Sequence, residues 1–523
     1  MRHCPTPLLL IGLILTLSTI RAGAATAPTA SIWDDYAHAR ANDREPVLAD
    51  FSHAGYRRGE VELPAPDSKI FRVTDYGAVP NDELSDKAAI MKAVAAAELN
   101  GAGIIFFSPG RFLVNEPTDN YNEPIRVSSS NIVFRGSGRG PGGTELFMAH
   151  HMDPRYPGKK WSSPYLIQFR ADDPVGVSTT VVANAGRETF RVEVADASLF
   201  VPDDWVYLNF KSNDPAVVRD ALAPYEPDPD WSKIINDGVR IEEYHQVRSI
   251  EGNTLEFFTP IHADIDARYT WNLKRIQPLQ EVGFENIHFA GNWHEPFVHH
   301  KSAIHNGGWS MLELRRCVNS WVRNCRFSNV SRAVYLKHSA HVTVTNVVVD
   351  GNLGHNCVSV ASSTHCLIHN VEDRAGQWHS FGVEGTSVGN VFLHSTYPEH
   401  TSYESHADQS RWNLFDNITG GWIYMRWGGA LFNQPNHLHG LVLWNYKKIG
   451  KGEPGEFHFM VPGDVWGRTI MPYVIGFHGV PQEWARGEIA VLESNGVAVE
   501  PSSLYVAQFR LRTGRDSWII VQD

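Results

Sequence analysis

The sequence predicts an all-β fold, a solenoid of the parallel β-helix type, from a spaced asparagine and from composition. Asn324, Asn346, Asn370 and Asn417 each follow a short β-prone run, at spacings of 22, 24 and 47 residues. The last spacing equals two steps, and the missing member falls near His394. A period of roughly 23 residues fits one coil, and asparagines at one turn position can exchange amide hydrogen bonds between coils. The 43 glycines, 30 prolines and 16 tryptophans also favour a turn-rich β protein over a helical bundle. An antiparallel sandwich would not explain the same asparagine at the same turn.

Length and charge limit the function classes. At 523 residues the chain is long enough for one very large domain or a few ordinary ones. A formal net charge of -12 argues against a protein that binds nucleic acid through bulk positive charge.

The N-terminal residues, "MRHCPTPLLLIGLILTLSTIRAGAATA", have a basic start, a short apolar core and small-residue cleavage sites. They predict a signal peptide over residues 1–24, with cleavage as late as residue 27, followed by an extension over residues 28–70. No later stretch predicts a membrane span, so we expect a secreted or periplasmic protein.

Residues 71–86, "FRVTDYGAVPNDELSD", precede a helical pattern that we expect to begin with Asp86 as its N-cap. The strand-like "GAGIIFFSPGRFLV", residues 101–114, follows. Together these motifs resemble the opening of the pectate-lyase superfamily. The resemblance implies a right-handed β-helix that starts over residues 71–174, with the helix covering its open end.

The C-terminal half, with "HADQSRWNLFDN" and "ESNGVAVEPSSLYVAQFRLR", resembles an uncharacterised bacterial family found downstream of such segments. That second resemblance implies no activity. Residues 175–275 alternate like strands and predict a small β insertion that walls a groove, or alternatively a separate binding module. The main coils are expected over residues 276–480 and a C-terminal cap over residues 481–523.

Aligning the strands on the asparagines predicts which side chains face out of the coils. One apolar column faces inward: Leu314, Leu336, Val360, Val383, Ala407 and Met425. Because side chains alternate across a strand, its neighbours form two outward columns. The first contains Glu313, Tyr335, Ser359, Gly382, His406 and Tyr424. The second contains Arg315, Lys337, Ala361, Glu384, Asp408 and Arg426.

These columns predict a polysaccharide groove, although a polar face that merely solvates the coil is the alternative interpretation. Small residues at Ser359, Ala361 and Gly382 leave a depression in which a sugar ring fits. The aromatic residues expected to stack on sugars are Trp309, Tyr335, Trp378, Trp412, Tyr424 and Trp427.

The first chemical hypothesis is a polysaccharide lyase. Elimination beside a uronate needs a base, here Lys337 or His406, and an acid, here Tyr335. Arg315 and Arg426 are expected to hold substrate carboxylates. Calcium held by Glu384 and Asp408 is a candidate neutralising ion.

The second hypothesis is a glycoside hydrolase with Glu384 and Asp408 as its catalytic carboxylates. Polygalacturonase-type hydrolases of this fold carry a Gly-His-Gly and an Arg-Ile-Lys. Gly354-His355 lacks the second glycine and no Arg-Ile-Lys follows, which counts against that subclass. The third hypothesis is a non-catalytic polysaccharide-binding protein, and a trimer is one oligomeric state left open.

Two further features leave alternatives open. Four cysteines remain after the signal peptide, and disulfides and buried thiols both suit them: Cys317, Cys325, Cys357 and Cys366. The region around them is rich in histidine, but no metal-ligand spacing is recognisable.

Overall fold

The protein is a right-handed parallel β-helix, as predicted, in a computed structural model that describes residues 1, 27–120, 122–173, 176–424, 426–452, 455–461 and 467–519. Apart from Met1, the predicted signal peptide lies outside the described residues. Two long parallel sheets run along the helix and enclose a continuous apolar core.

The first of these, called the long sheet, pairs equivalent strands of successive coils. Its seventeen strands are Ile70–Arg72, Gly103–Phe106, Gly110–Val114, Ile132–Arg135, Thr144–Met148, Leu279–Gln280, Gly283–Glu285, His288–Gly291, Cys317–Arg323, Arg326–Ser328, Ala340–Asp350, Leu367–Asp373, Val391–Leu393, Asn413–Asp416, Leu441–Trp444, Tyr473–Ile475 and Val491–Glu493.

The second, called the site sheet, has seven strands. They are Ile125–Val127, Ile167–Arg170, Ser310–Arg315, Arg332–Lys337, Asn356–Ala361, His379–Glu384 and Glu404–Ser405. Ile167–Arg170 pairs directly with Ser310–Arg315 although about 140 residues separate them in sequence. Two small parallel sheets complete the coils, one of Thr419–Gly420, Lys447–Lys448 and His478–Gly479 and one of Glu456–Phe457 and Glu483–Trp484.

The predicted asparagine ladder is present from Asn324 to Asn370, whereas Asn417 makes its side-chain hydrogen bonds outside the ladder. Asn346 Nδ2 donates to Asn324 Oδ1 at 2.9 Å, and Asn370 Nδ2 donates to Asn346 Oδ1 at 3.1 Å. Each of these asparagines has a positive φ, between 50° and 56°, a conformation that asparagine tolerates better than most residues. His394, the predicted replacement, adopts the same conformation with a φ of 46°.

The capping helix runs over Lys87–Asn100 and packs on the first coil. The prediction that the Asp86 side chain caps it is wrong, because that carboxylate makes no cap hydrogen bond. It accepts instead from Val79 N at 2.8 Å and Leu113 N at 3.0 Å. The Asp86 carboxylate thus satisfies two backbone N–H groups outside the helix rather than an N–H group of the first helical turn.

An antiparallel six-stranded sheet forms the insertion. In spatial order its strands are Ser178–Thr180, Trp271–Ile276, Trp205–Ser212, Val239–Glu251, Thr254–Phe257 and Arg191–Glu193. The helices Pro215–Leu222 and Ser232–Asn236 belong to it, and a separate apolar core stabilises it. It lies against several coils at once, since Tyr244 N donates to Thr364 Oγ1 at 3.1 Å and Thr386 Oγ1 donates to Glu242 at 2.6 Å.

An N-terminal segment, residues 30–54, and the C-terminal segment, residues 499–519, meet on the outer face of the long sheet. The helix Ser31–Ala41 and the C-terminal helix Leu504–Thr513 cover its outward apolar residues. Phe51 N donates to Gln508 Oε1 at 2.9 Å, and Tyr505 Oη donates to the Ala54 carbonyl at 3.0 Å. The described residues 481–519 therefore add the strand Val491–Glu493 to the long sheet and then continue into the helix Leu504–Thr513 on its outer face.

Short helical turns occupy the connections: Phe51–His53, Tyr56–Gly59, Val73–Tyr76, Ala197–Leu199, Ile304–Gly308, Leu431–Asn433 and Arg486–Glu488. Cys317, Cys325, Cys357 and Cys366 are buried free thiols. Among the described residues, no helix combines the length and the apolar character needed to cross a membrane.

Candidate active site

The strand pairing confirms both outward columns as far as the coil of Glu384. Glu313 pairs with Tyr335, Tyr335 with Ser359, and Ser359 with Gly382. In the second column Arg315 pairs with Lys337.

Beyond Gly382 the predicted register is wrong. Gly382 pairs with Glu404 and Val383 with Ser405, so the coil takes 22 residues here rather than 24. Glu404 therefore occupies the position predicted for His406, and His406 follows where Asp408 was expected. The period alone does not fix this register, because the connecting loops absorb the difference.

Asp408 does not belong to the candidate site. Its carboxylate is buried and binds Lys233 Nζ and Arg240 Nη2 of the insertion, each at 2.6 Å. Two cations already neutralise it, which removes the predicted catalytic pair with Glu384 and the predicted calcium pair. Asp408 instead attaches the insertion to the coils.

Three predicted sugar-stacking residues are also elsewhere. Trp412 precedes a strand of the long sheet, is buried, and has the Arg187 guanidinium 4.5 Å from its ring centre. Trp309 and Trp427 lie in the apolar core of the coils. A strand pattern does not distinguish a buried indole from an exposed one.

Tyr335 and Glu384 form the centre of the site. The Tyr335 hydroxyl donates to Glu384 Oε1, and both side chains are partly exposed. Tyr165 stacks on Tyr335 with ring centres 5.4 Å apart and planes 5° from parallel. Burial and then the charge of Glu384 raise the pKa of Tyr335 well above its usual value, so it stays a hydrogen-bond donor at neutral pH.

A row of three cations borders this centre. Arg170, Arg315 and Lys337 occupy paired positions on consecutive strands of the site sheet. Lys337 Nζ also lies 5.7 Å from the centre of the Tyr335 ring. Burial and the like charge of Arg315 lower the pKa of Arg170. Mutual repulsion of this kind is relieved when an anion binds.

Glu404 and His406 lie on the next coil. Glu404 is buried and accepts from Asn356 Nδ2 at 3.3 Å, while His379 Nε2 lies 3.5 Å from its other oxygen. Burial raises the pKa of Glu404 to about 7, and the charge of Glu384 acts in the same direction. Burial lowers the pKa of His406, but Glu404 and Glu384 outweigh it, so the net pKa is raised.

The hydrogen bonding of His406 leaves one ring nitrogen for a substrate. Nδ1 lies 2.7 Å from the Ala407 carbonyl, to which it donates. Nε2 of the neutral ring then carries the lone pair. The backbone of Gly428 lies close to both Glu404 and His406. A methyl group on its Cα would lie 2.2 Å from Glu404 Oε1 and 2.3 Å from His406 Cδ2.

Trp378 and Arg426 line one end of the site. The Arg426 guanidinium lies 3.6 Å from the Trp378 ring centre, and its Nη1 donates to the Trp378 carbonyl at 3.0 Å. Burial lowers the pKa of Arg426 to about 10. Tyr424 is turned towards the edge of Phe457, with ring centres 5.5 Å apart. Of the predicted binding residues, Trp378 and Arg426 therefore lie together.

A histidine cluster adjoins Trp378. Ligand nitrogens of His299, His300 and His355 lie within 4.8 Å of one another, and His299 stacks on Trp378 at 4.8 Å. Burial and the charge of His300 lower the pKa of His299 to about 4. These residues could hold a metal ion, and sequence analysis missed the set because His299 and His300 lie in a loop outside the repeat.

A separate concave surface of about 510 Å³ lies on the long-sheet side, lined in part by Arg111, Glu145 and His288. Its charges are already paired, since both Arg111 and His288 contact Glu145. The acid and base groups described above lie elsewhere, which favours the site sheet as the functional face.

Family comparisons agree with the two resemblances seen in the sequence. Residues 70–148 match a family model described as rhamnogalacturonase A/epimerase, pectate lyase-like, which confirms the predicted superfamily. Residues 376–521 match a model described as a domain of unknown function, DUF4955. No curated protein matches the sequence.

Solved structures with this architecture are distant in sequence. The tailspike protein gp49 of Pseudomonas phage LKA1 is 13% identical, with 79% of this chain and 70% of that chain covered and a TM-score of 0.43. The exopolygalacturonase of Thermotoga maritima is 12% identical, with 83% and 77% covered and a TM-score of 0.34. The A-module of the Azotobacter vinelandii mannuronan C-5 epimerase AlgE4 is 10% identical, with 78% and 75% covered and a TM-score of 0.33.

Proposed function

We propose that this protein is an exported enzyme that cleaves an anionic polysaccharide by β-elimination next to a uronate. The observation that carries the proposal is the row Arg170, Arg315 and Lys337 beside the acid and base groups of one sheet face. This row is locally positive although the chain has a net charge of -12, and such a positive surface attracts a polyanion.

The partners of each side chain support specific roles. His406 Nε2 accepts the C5 proton, because Nδ1 is engaged with the Ala407 carbonyl. The C4–O bond then breaks, and the Tyr335 hydroxyl donates its proton to the leaving oxygen. Glu384 interacts with both groups, since it accepts from Tyr335 and its charge helps to raise the pKa of His406. The cation row and Arg426 hold the carboxylates of the polymer.

Hydrolysis is the second candidate, favoured by one observation. Glu384 and Glu404 interact electrostatically on adjacent coils, and the pKa of Glu404 is about 7. A carboxyl that keeps its proton near neutral pH beside an ionised one is the pattern of a general acid paired with a nucleophile or base. Burial of Glu404 counts against direct contact with a sugar, whereas His406 is partly exposed.

Panel digestion with acidic and neutral polysaccharides tests the proposal. Ultraviolet absorbance of unsaturated uronates and new reducing ends are followed together, with and without a chelator. Both signals rising on an acidic polymer support β-elimination. Reducing ends without absorbance would replace it with hydrolysis. Silence across acidic polymers would refute the lyase and leave a binding protein.

Variants assign the roles on any substrate found. We expect Tyr335→Phe and His406→Gln to lower kcat by at least about 100-fold, since each removes a proton-transfer group. Tyr156→Phe and His38→Gln are matched controls, because Tyr156 is exposed and His38 lies on the N-terminal helix. Equal loss in test and control variants would contradict the assignment.

A further inference from the structure

A loop and a strand end bring three imidazoles together beside the candidate active site. His299 and His300 precede the turn Ile304–Gly308, and His355 directly precedes the site-sheet strand Asn356–Ala361. Their ligand nitrogens all lie within 4.8 Å of one another. Three histidines with one open position form a common set in zinc proteins.

Asn306 holds two of these histidines in place. Its side-chain Oδ1 accepts from His300 N at 3.1 Å, and its carbonyl lies 3.0 Å from His355 Nδ1. His305 fixes the start of the same loop, since its Nδ1 accepts from Val298 N at 3.1 Å. A backbone carbonyl that accepts from the far ring nitrogen is the usual partner of a ligating histidine.

The hydrogen bonding of His355 is compatible with ligation through Nε2. Arg332 Nη2, 3.1 Å from His355 Nδ1, can donate to it only in the tautomer with the proton on Nε2, whereas the Asn306 carbonyl accepts from Nδ1 in the other tautomer. A metal on Nε2 places the proton on Nδ1, which then donates to the carbonyl.

A fourth imidazole borders the cluster with an unused nitrogen. The ring of His379 lies 5.3 Å from that of His299 and 5.4 Å from that of His355. Its side chain is 4% exposed, and its Nδ1 has no hydrogen-bond partner among the described residues. A buried nitrogen without a partner is costly, and a ligand at this position removes the cost.

We propose that His299, His300 and His355 bind one divalent transition-metal ion of the zinc type, with His379 next to the open position. An all-imidazole set favours zinc and its first-row neighbours over calcium or magnesium, which prefer oxygen ligands. Zinc–nitrogen bonds of about 2.1 Å place ligand nitrogens about 3.4 Å apart. The ligand nitrogens therefore approach one another by up to about 1.4 Å on binding.

Metal binding is measured on the purified full chain after chelator treatment and dialysis. Zn²⁺ is titrated against a chromophoric competitor, and Co²⁺ is titrated while its visible ligand-field bands are followed. We expect one ion per chain and, for Co²⁺, the intense bands of four-coordinate geometry.

Variants test the ligand assignment separately from catalysis. We expect His355→Ala to weaken Zn²⁺ binding by at least about 100-fold and His379→Gln to weaken it by about tenfold or alter the Co²⁺ spectrum. His150→Ala is the matched control and should bind as the parent does, because His150 and His151 form a stacked pair, 4.3 Å between ring centres, outside the three-histidine set. Near-ultraviolet circular dichroism without metal confirms that each variant is folded.

Three results would overturn the proposal: no Zn²⁺ bound by the parent at micromolar concentration, unchanged binding by folded His355→Ala, or equal loss in His150→Ala. None depends on a substrate, so metal binding can fail while polysaccharide cleavage stands, and the reverse holds as well.

Discussion

Replacing Asp408 by asparagine separates the two roles that sequence and structure assign to this residue. The sequence columns place Asp408 beside Glu384 as a catalytic or calcium-binding carboxylate. The structure places it between Lys233 and Arg240, at 2.6 Å from each. Asp408→Asn keeps the side-chain volume and removes only the charge, so it tests the ion pairs directly.

The expected cost follows from burial. The Asp408 side chain is 6% exposed, whereas those of Lys233 and Arg240 are 30% and 27% exposed. Removing one partner of a fully buried ion pair costs about 3–5 kcal/mol. Because solvent screens both cations in part, we expect the free energy of unfolding to fall by about 2–3 kcal/mol.

Urea unfolding followed by tryptophan fluorescence measures this loss. Arg240→Ala alone and combined with Asp408→Asn completes a double-mutant cycle, in which we expect a coupling of about 1–2 kcal/mol. On a substrate found by panel digestion, Asp408→Asn should keep its kcat, whereas Glu384→Gln should lose it at little cost in stability. An Asp408→Asn protein with parental stability and no activity would refute the structural role and restore the catalytic one.

Three further predictions concern the site and the frame. Glu404→Gln should lower the pKa of His406, because it removes a charge that favours the protonated ring. The acidic limb of the pH–rate profile should then move to lower pH. An acidic limb that does not move would exclude His406 as the base. Asn346→Ala should lower the free energy of unfolding in urea by about 2–4 kcal/mol, because it removes two ladder hydrogen bonds and places alanine at a φ of 56°. Asn346→Gly should lower it less, because glycine adopts a positive φ without strain. Equal losses would show that the backbone conformation contributes nothing. Burial lowers the pKa of His53 to about 4, so the unfolded chain binds the proton first and stability should fall as pH decreases from about 6.5 to 4; a thermal midpoint with the same pH dependence in His53→Phe would contradict this.

Much of the frame is predictable from sequence because it repeats. A residue that must adopt a positive φ and hydrogen-bond to its equivalent one coil away recurs as asparagine once per coil, as Asn324, Asn346 and Asn370 do. The columns through Gly382 follow from that mark and from strand alternation. Between Gly382 and Glu404 the site-sheet step is 22 residues, and no local signal in the loop records it.

The rest of the site comes from segments that the period does not relate. Arg170 is a spatial neighbour of Arg315 only because the insertion loops out between the strands that carry them. His299 and His300 belong to an irregular loop that Asn306 fixes. Such contacts depend on tertiary packing, which a single sequence does not encode as a pattern.

The packing of residues 51–54 against the helix Leu504–Thr513 has a consequence for the order of folding. Coils can form one after another as the polypeptide leaves the ribosome, since each coil packs on the one before it. The outward residues Leu414 and Trp444 share one apolar cluster with Leu504 and Tyr505, so their burial is complete only when the helix Leu504–Thr513 has docked. A chain truncated before residue 504 would thus expose a row of apolar side chains along its folded coils. Exposed apolar surface of this kind promotes aggregation and is recognised by chaperones and proteases. Docking of the helix Leu504–Thr513 therefore lowers the exposed apolar area, and this area distinguishes a chain that contains the helix from a truncated one.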